Sequence, residues 1–144
     1  ASSPLPVLIK GACHPDDGRR LIAAGASGLI LSNHGGRALD GTPSPLQLLV
    51  AMRQALGPQV PLLVDGGIRS GYDLFKALAC GADAALIGRP QLYGLAVAGA
   101  LGVAHVIKLL REELELCMAL CGCPDLASIN SDVLWPPHST APLG

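Results

Sequence analysis

The sequence predicts an α/β fold in which four parallel strands alternate with helices. Three observations carry that expectation. Short apolar runs recur at residues 7–9, 28–31, 62–64 and 85–87. Each ends in glycine or a polar group: Lys10-Gly11, Ser32-Asn33-His34, Asp65-Gly66-Gly67 and Gly88-Arg89. The runs are continuous rather than alternating, the pattern of parallel strands covered on both faces. Each gap between runs has room for one helix, so the spacing is that of βαβ units. Strand ends of this kind are where α/β proteins hold ligands, so the four polar ends are expected to face one site.

Composition narrows the class. The chain has 144 residues, the size of one ordinary domain, and half of them are apolar. Its 18 glycines and 12 prolines follow no three-residue period, which excludes collagen and suits tight turns at strand ends. Ten basic and eleven acidic side chains give a net charge of −1. That balance argues against a broad nucleic-acid surface and leaves room for a local cationic pocket. Cys13, Cys80, Cys117, Cys121 and Cys123 are odd in number and cluster late, which favours a reducing compartment. Cys121 and Cys123 stand too close for the usual metal spacing, and no metal site is expected. No signal peptide, transit peptide or membrane-spanning run is visible. The chain opens on Ala-Ser-Ser-Pro without an initiating Met, so that absence carries little weight.

Taken in order, residues 6–10 form the first strand, with Pro4 and Pro6 at its entry and Lys10 at its end. Residues 16–24 read as a helix with Leu21 and Ala24 inward and Gly25 as its cap. His14, just before it, suits a surface or capping role. Residues 27–32 are the second strand. Ser44-Pro45 starts a helix reaching Leu56, because proline lacks an N–H the first turn does not need. Leu46, Leu49, Val50 and Met52 supply its apolar surface. Residues 60–64 are the third strand and 72–80 the next helix, with Leu74, Phe75 and Leu78 inward. Residues 82–87 are the fourth strand. A short helix at 91–98, a glycine break at 99–102 and a long helix at 103–120 follow. Val106, Leu109, Leu110, Leu114, Cys117 and Met118 make the long helix's packed face, with Met118 as a space filler. Leu126, Ile129 and Val133 form one short packed segment, and the rest reads as an extended tail.

Chemistry concentrates in residues 29–41, LILSNHGGRALDG. A base, His34, two glycines and a cation, Arg37, come directly after a buried strand. Asp65-Gly66-Gly67-Ile68-Arg69 is either a plain turn or a phosphate cradle of backbone N–H groups. Gly88-Arg89-Pro90 ahead of a short helix is the layout by which barrel enzymes often grip phosphate. Lys10 is either a solvated strand end or part of the same site.

These motifs resemble the C-terminal half of the FMN-dependent 2-hydroxy-acid oxidases and dehydrogenases, the family of glycolate oxidase, lactate oxidase and mandelate dehydrogenase. The matching text is Ile9-Lys10-Gly11, Ser32-Asn33-His34-Gly35-Gly36-Arg37, Leu39-Asp40-Gly41, Asp65-Gly66-Gly67-Ile68-Arg69 and Gly88-Arg89-Pro90. The likeness runs through Asp132. It implies a (β/α)8 TIM barrel with FMN at the carboxyl mouth of the strands, of which this chain holds strands five to eight. Residues 1–133 would be that half and 134–144 an extended tail. The resemblance assigns His34 as the catalytic base, which also touches substrate, and Arg37 as the grip on the substrate carboxylate. It assigns cofactor contacts to Lys10, beside the flavin N1 and O2, and to Ser32, Asp65, Gly66, Gly67, Ile68, Arg69, Gly88 and Arg89. Asp40 would hold the loop or a histidine.

Two positions depart from many relatives. Ala38 stands in place of Gln, and Ser70 in place of a second Arg, which would weaken outer phosphate contacts. The implied partners are a small 2-hydroxy acid, the missing N-terminal half and further copies in a tetramer. The implied compartment is intracellular, peroxisomal or cytoplasmic. The competing expectation is a noncatalytic structural fragment, or an inactive half-barrel that needs a partner chain. Another phosphate-binding FMN barrel fits less well, because Arg37 beside His34 suits a carboxylate.

Overall fold

A computed structural model of the chain describes residues 4–135. Its elements are β1 (Leu8–Lys10), α1 (Pro15–Ala23), β2 (Gly28–Leu31), α2 (Pro45–Leu56), β3 (Leu62–Asp65), α3 (Gly71–Ala79), β4 (Ala84–Leu86) and α4 (Arg89–Leu120). Single 3₁₀ turns occupy His34–Gly36, Leu126–Ser128 and Ser131–Val133. The strands form one parallel sheet in the order β1-β2-β3-β4. Each strand is shorter than the span expected for it, and β3 runs one residue past its expected end, to Asp65.

Local signals act as expected at most helix ends. The His14 imidazole caps α1 by accepting the Asp16 N–H at 3.2 Å. Gly25 sits at φ +100 and closes that helix with N–H bonds from Gly25 to Ile22 and from Ala26 to Leu21. Ser44 and Gln47 cap α2 reciprocally, and Pro45 lies in its first turn. The inward residues differ from expectation. Pro45, Leu48, Leu49 and Met52 are buried, at the i, i+3, i+4, i+7 spacing of a core stripe. Leu46 and Val50 face outward, as does Ala24 at the end of α1.

The main core lies between the helices and one face of the sheet, where Leu29, Leu31, Leu49, Met52, Leu62 and Val64 are almost fully buried. The sequence implied cover on both faces. The opposite face, which carries Leu8, Lys10, Ile30, Leu63, Asp65 and Leu86, is only partly covered, and Leu8 is 41% exposed. A second core joins α3 to α4 through Phe75, Ala79, Cys117, Cys123 and Ile129. Leu114, Met118 and Val133 pack on it as expected. Leu109 and Leu126 do not, being exposed, and Leu134 does, so the packed body reaches one residue further than expected. The remainder of the tail, with His138, lies outside the described residues.

The expected pair of helices at 91–98 and 103–120 is one helical run, α4, with a sharp break at Ala98 (φ −146°, ψ 25°) and Gly99 (φ 59°, ψ −140°). The break brings Gly94 and Gly102 into backbone contact; a Cβ on Gly102 would lie 1.9 Å from the Gly94 carbonyl oxygen. A straight helix would hold those residues about 12 Å apart. By length and composition alone α4 is long and apolar enough to cross a membrane, with a mean hydropathy of 1.7 over its most apolar 18 residues. The sequence reading missed that signal. The break divides the segment, so it is not one straight apolar rod.

At the amino ends of the strands, Arg53 from α2 clasps several backbones at once. Its guanidinium donates to the carbonyls of Gly81, Gly57 and Val60 at 2.7–2.9 Å and to Asp83 at 2.7 Å. Asp83 also accepts the Leu62 N–H at 2.7 Å. At the other end of the fold, Gly71 lets α3 touch α4. A Cβ there would lie 2.2 Å from the Leu114 nitrogen, an atom of a helix backbone that cannot step aside. Gly71→Ala should therefore destabilise the protein by about 1–3 kcal/mol through overpacking, although alanine is the better helix former. A denaturant titration should show its midpoint well below the parent's. An unchanged midpoint would mean that the two helices part without cost.

Candidate active site

The carboxyl ends of the strands open on one cleft of about 500 Å³. It is lined by Lys10, His34, Arg37, Asp65, Gly66, Gly67, Ile68, Arg69, Gly88 and Arg89, with Leu86, Ile87, Pro90 and Leu92 supplying apolar wall. Every site residue named from the sequence lines this cleft except Ser32. That serine is fully buried beneath it.

Parallel register explains the convergence. Lys10 pairs with Ile30 across the β1–β2 ladder, and Ile30 pairs with Leu63 across β2–β3, so Lys10 and Asp65 project from the same face at nearby levels. The Lys10 ammonium forms an ion pair with Asp65 and donates to Ser32 Oγ at 2.8 Å. Ser32 Oγ also accepts the His34 N–H at 3.0 Å. His34 is the one described non-glycine residue with positive φ, 54°. That backbone state costs an L-residue roughly 1–2 kcal/mol. Two further bonds hold the turn. The Asn33 side chain accepts the Gly35 N–H at 3.1 Å, and the Asn33 carbonyl accepts the Gly36 N–H at 2.9 Å. Beyond them residues 37–41 are exposed. Among the described residues Asp40 accepts only its neighbour's N–H, from Gly41 at 3.0 Å, and is hydrogen-bonded to no histidine.

The cleft's charges fall into two groups. Lys10 has its carboxylate partner. Arg37, Arg69 and Arg89 have none among the described residues. The helix ends divide the same way. At the start of α3, Asp73 accepts the N–H groups of Arg69 and Ser70, both at 3.0 Å, and the Ser70 hydroxyl at 2.9 Å. Glu113 of α4 takes the Gly71 N–H at 2.7 Å. The protein's own carboxylates thus fill that amide cluster. Ser70, one of the two departures noted in the sequence, is the N-cap of α3 in a capping box with Asp73. Ser-x-x-Asp spacing was the signal that would have found it. The start of α4 has Gly88 as its N-cap and no side-chain cap, so its positive end is left open beside Arg89. Gly67 and Gly88 also have open space where a side chain would be.

None of the cysteines lines the cleft. Burial pushes the Cys80 and Cys117 thiols up, and for Cys117 the neighbouring Cys121 and Cys123 add to it. Both are protonated at neutral pH, which makes them poor nucleophiles.

A fold with a parallel sheet and a cationic cleft at the carboxyl ends of its strands defines an anion-binding α/β protein. Comparison with known proteins makes the class specific. The family described as FMN-dependent dehydrogenase matches residues 1–136. An L-lactate oxidase of Alicycliphilus denitrificans is 62% identical over 136 residues, 94% of this chain and 37% of that protein. A peroxisomal (S)-2-hydroxy-acid oxidase of Oryza sativa subsp. japonica is 49% identical, over 88% of this chain and 34% of its own length. Among solved structures, a mandelate oxidase superposes with a TM-score of 0.85 at 45% identity, over 88% of this chain and 38% of that one. A lactate oxidase of Pediococcus acidilactici does so with the same TM-score at 47% identity, over 87% and 35%. The chain belongs to the FMN-dependent dehydrogenase family, and FMN is that family's cofactor. It spans little more than a third of the length of these relatives. The residues present fit such a group: the cleft lies within the usual size of a cofactor pocket, and unpaired arginines and an uncapped helix end suit a phosphate.

Asp73 supplies a test of the plugged helix end. Burial opposes its charge, but the N–H groups of Arg69 and Ser70 and the Ser70 hydroxyl outweigh it, and its pKa is lowered. A group whose folded pKa is depressed contributes stability above its unfolded pKa, about 3.9. That contribution is lost as pH falls through the folded value. Asp73→Asn should therefore cost about 1 kcal/mol at neutral pH and progressively less toward acid. Denaturant titrations of both proteins across the acid range measure the gap. A gap that widens toward acid would contradict the assignment.

Proposed function

We propose that the complete polypeptide uses FMN to oxidise a small 2-hydroxy acid to its 2-oxo acid. In this reading residues 1–133 are the C-terminal half of a (β/α)8 barrel, strands five to eight, and residues 134–144 are a tail. The observation that carries the reading is a histidine and three arginines, without carboxylate partners among the described residues, lining one cleft with Lys10. Two features support the half-barrel. β1 and β4 each keep one unpaired edge among the described residues, and the sheet's second face is only partly covered. The relatives named above are nearly three times longer than the matched stretch.

The roles follow from the chemistry of the side chains. FMN, when bound, supplies a two-electron acceptor. His34 takes the proton from the substrate hydroxyl, which requires a neutral imidazole. Arg37, three residues on, offers a planar fork to the substrate carboxylate and sets the hydroxyl toward His34. Lys10, held by Asp65 and Ser32, places a fixed positive charge at the cleft floor. Gly66, Gly67 and Ile68 offer backbone N–H groups, and Gly88 and Arg89 with the open end of α4 hold the phosphate. The α3 end is the poorer phosphate site, since Asp73 and Glu113 already occupy its donors. The relatives' names share one motif, a hydroxyl beside a carboxylate, and the pairing of His34 with Arg37 suits that motif.

Anaerobic mixing of the complete protein with glycolate, lactate, longer aliphatic 2-hydroxy acids and mandelate should bleach the oxidised-flavin absorbance with at least one of them. Bound flavin that none of them reduces would overturn the reaction. A complete protein that binds no flavin would favour the noncatalytic alternative. The two arginines should fail differently. Arg37→Met should keep FMN and lose about 30- to several-thousand-fold in substrate turnover efficiency, the range expected for truncating a charge-assisted pair. Arg89→Met should weaken FMN retention, with activity partly restored by excess FMN. Flavin titration and substrate kinetics on both variants read the difference, and exchanged phenotypes would refute the assignment.

A further inference from the structure

We infer that Gly11 and Ser32 are positioning residues for His34, with Gly11 the seat of its imidazole and Ser32 the anchor of its backbone. The inference rests on the reading of His34 as the base. Gly11 follows Lys10 at φ +95. A Cβ on Gly11 would lie 2.7 Å from His34 Cε1, 3.4 Å from Nε2 and 3.7 Å from Nδ1. The ring therefore rests on bare backbone. That backbone is fixed, because the Gly11 N–H donates to the Ile30 carbonyl at 3.0 Å and extends the β1–β2 pairing. Ser32 holds the other point, accepting the His34 N–H at 3.0 Å while fully buried. The Cys13 thiol ties the two supports together, reaching the Gly11 carbonyl at 3.4 Å and the Ser32 carbonyl at 3.7 Å.

His34 needs both supports. It is exposed, it starts a two-glycine turn, and its own φ is unfavourable. Without a seat below, the imidazole would be free to change rotamer on an open surface. A methyl group on Gly11 would displace the ring by roughly 1 Å to reach ordinary contact distance. Misplacement of that size at a reacting group costs about 100-fold in rate.

The plain alternative is that Gly11 serves only its positive φ. Gly25 separates the two, because its φ is +100 and nothing lies within 4 Å of its Cβ position. Gly11→Ala and Gly25→Ala both place an alanine at a similar positive φ, and only the first meets His34. In the complete FMN-loaded protein, both should lose thermal stability, Gly11→Ala by at least as much as Gly25→Ala. Gly11→Ala should slow flavin reduction about 100-fold and move the His34 ring resonances in histidine-labelled protein. Gly25→Ala should do neither. Ser32→Ala should also move the ring resonances, and it decides the matter if Gly11→Ala does not fold. The inference is overturned if Gly11→Ala matches Gly25→Ala in rate and ring resonances, or if Ser32→Ala leaves the ring resonances in place. A His34→Gln protein that reduces flavin normally would instead remove the base reading, while the ring resonances still judge the seat.

Discussion

One cation frames this site. Lys10 leaves the end of β1, crosses in front of β2 and meets Asp65 at the end of β3. On the way it donates to Ser32, whose hydroxyl also holds the His34 backbone. Three strand ends are thereby tied at one level, and the loop that carries His34 and Arg37 starts from that tie. The contact depends on parallel strands in register. A slip of one residue would turn Lys10 and Asp65 to the helix side, among Leu29, Leu31 and Val64. The pair is partly exposed, so its value lies in placement more than in stability.

Elsewhere the protein uses its carboxylates to silence donors. Asp73 and Glu113 fill the start of α3, and Asp83 shares Arg53 and the Leu62 N–H at the opposite end of the strands. Donors at the start of α4 have no such partner, and neither do Arg37, Arg69 and Arg89 among the described residues. Three arginines without carboxylate partners among the described residues therefore gather at the carboxyl ends of the strands. Clustered arginines repel one another, and a bound anion lowers that repulsion. The family's cofactor carries a phosphate, and the proposed substrate carries a carboxylate.

The scaffold behind the cleft adds close backbone approaches to its leucine-rich core. Gly71 lets the start of α3 rest on α4, and Gly94 meets Gly102 across the break in α4. The chain has three aromatic residue types in small number, one Phe, two Tyr and one Trp, so contacts between backbones take over part of the work of bulky cores. The sheet's face away from the helices is the exception, with Leu8, Ile30 and Leu63 only partly covered. Apolar strand residues left in that state are what an incomplete barrel would present.

Much of this was legible in the residues alone. The alternation of strand and helix, the cap at Ser44-Pro45 and the break near Gly99 all follow from signals local in the chain. Such signals work through neighbours a few positions apart, so a linear reading captures them. What lay beyond it involves partners far apart in sequence. Lys10 and Asp65 are 55 positions apart, Gly71 and Glu113 are 42, and Arg53 and Gly81 are 28. Only strand register and helix docking decide that Ser32 lies beneath the cleft rather than in its wall. The same packing decides that α3's donors are filled while α4's stay open, and that Gly11 carries the His34 ring. Residue types set which chemistry is available along the chain; the tertiary structure decides which groups are left without a partner, and so which can act.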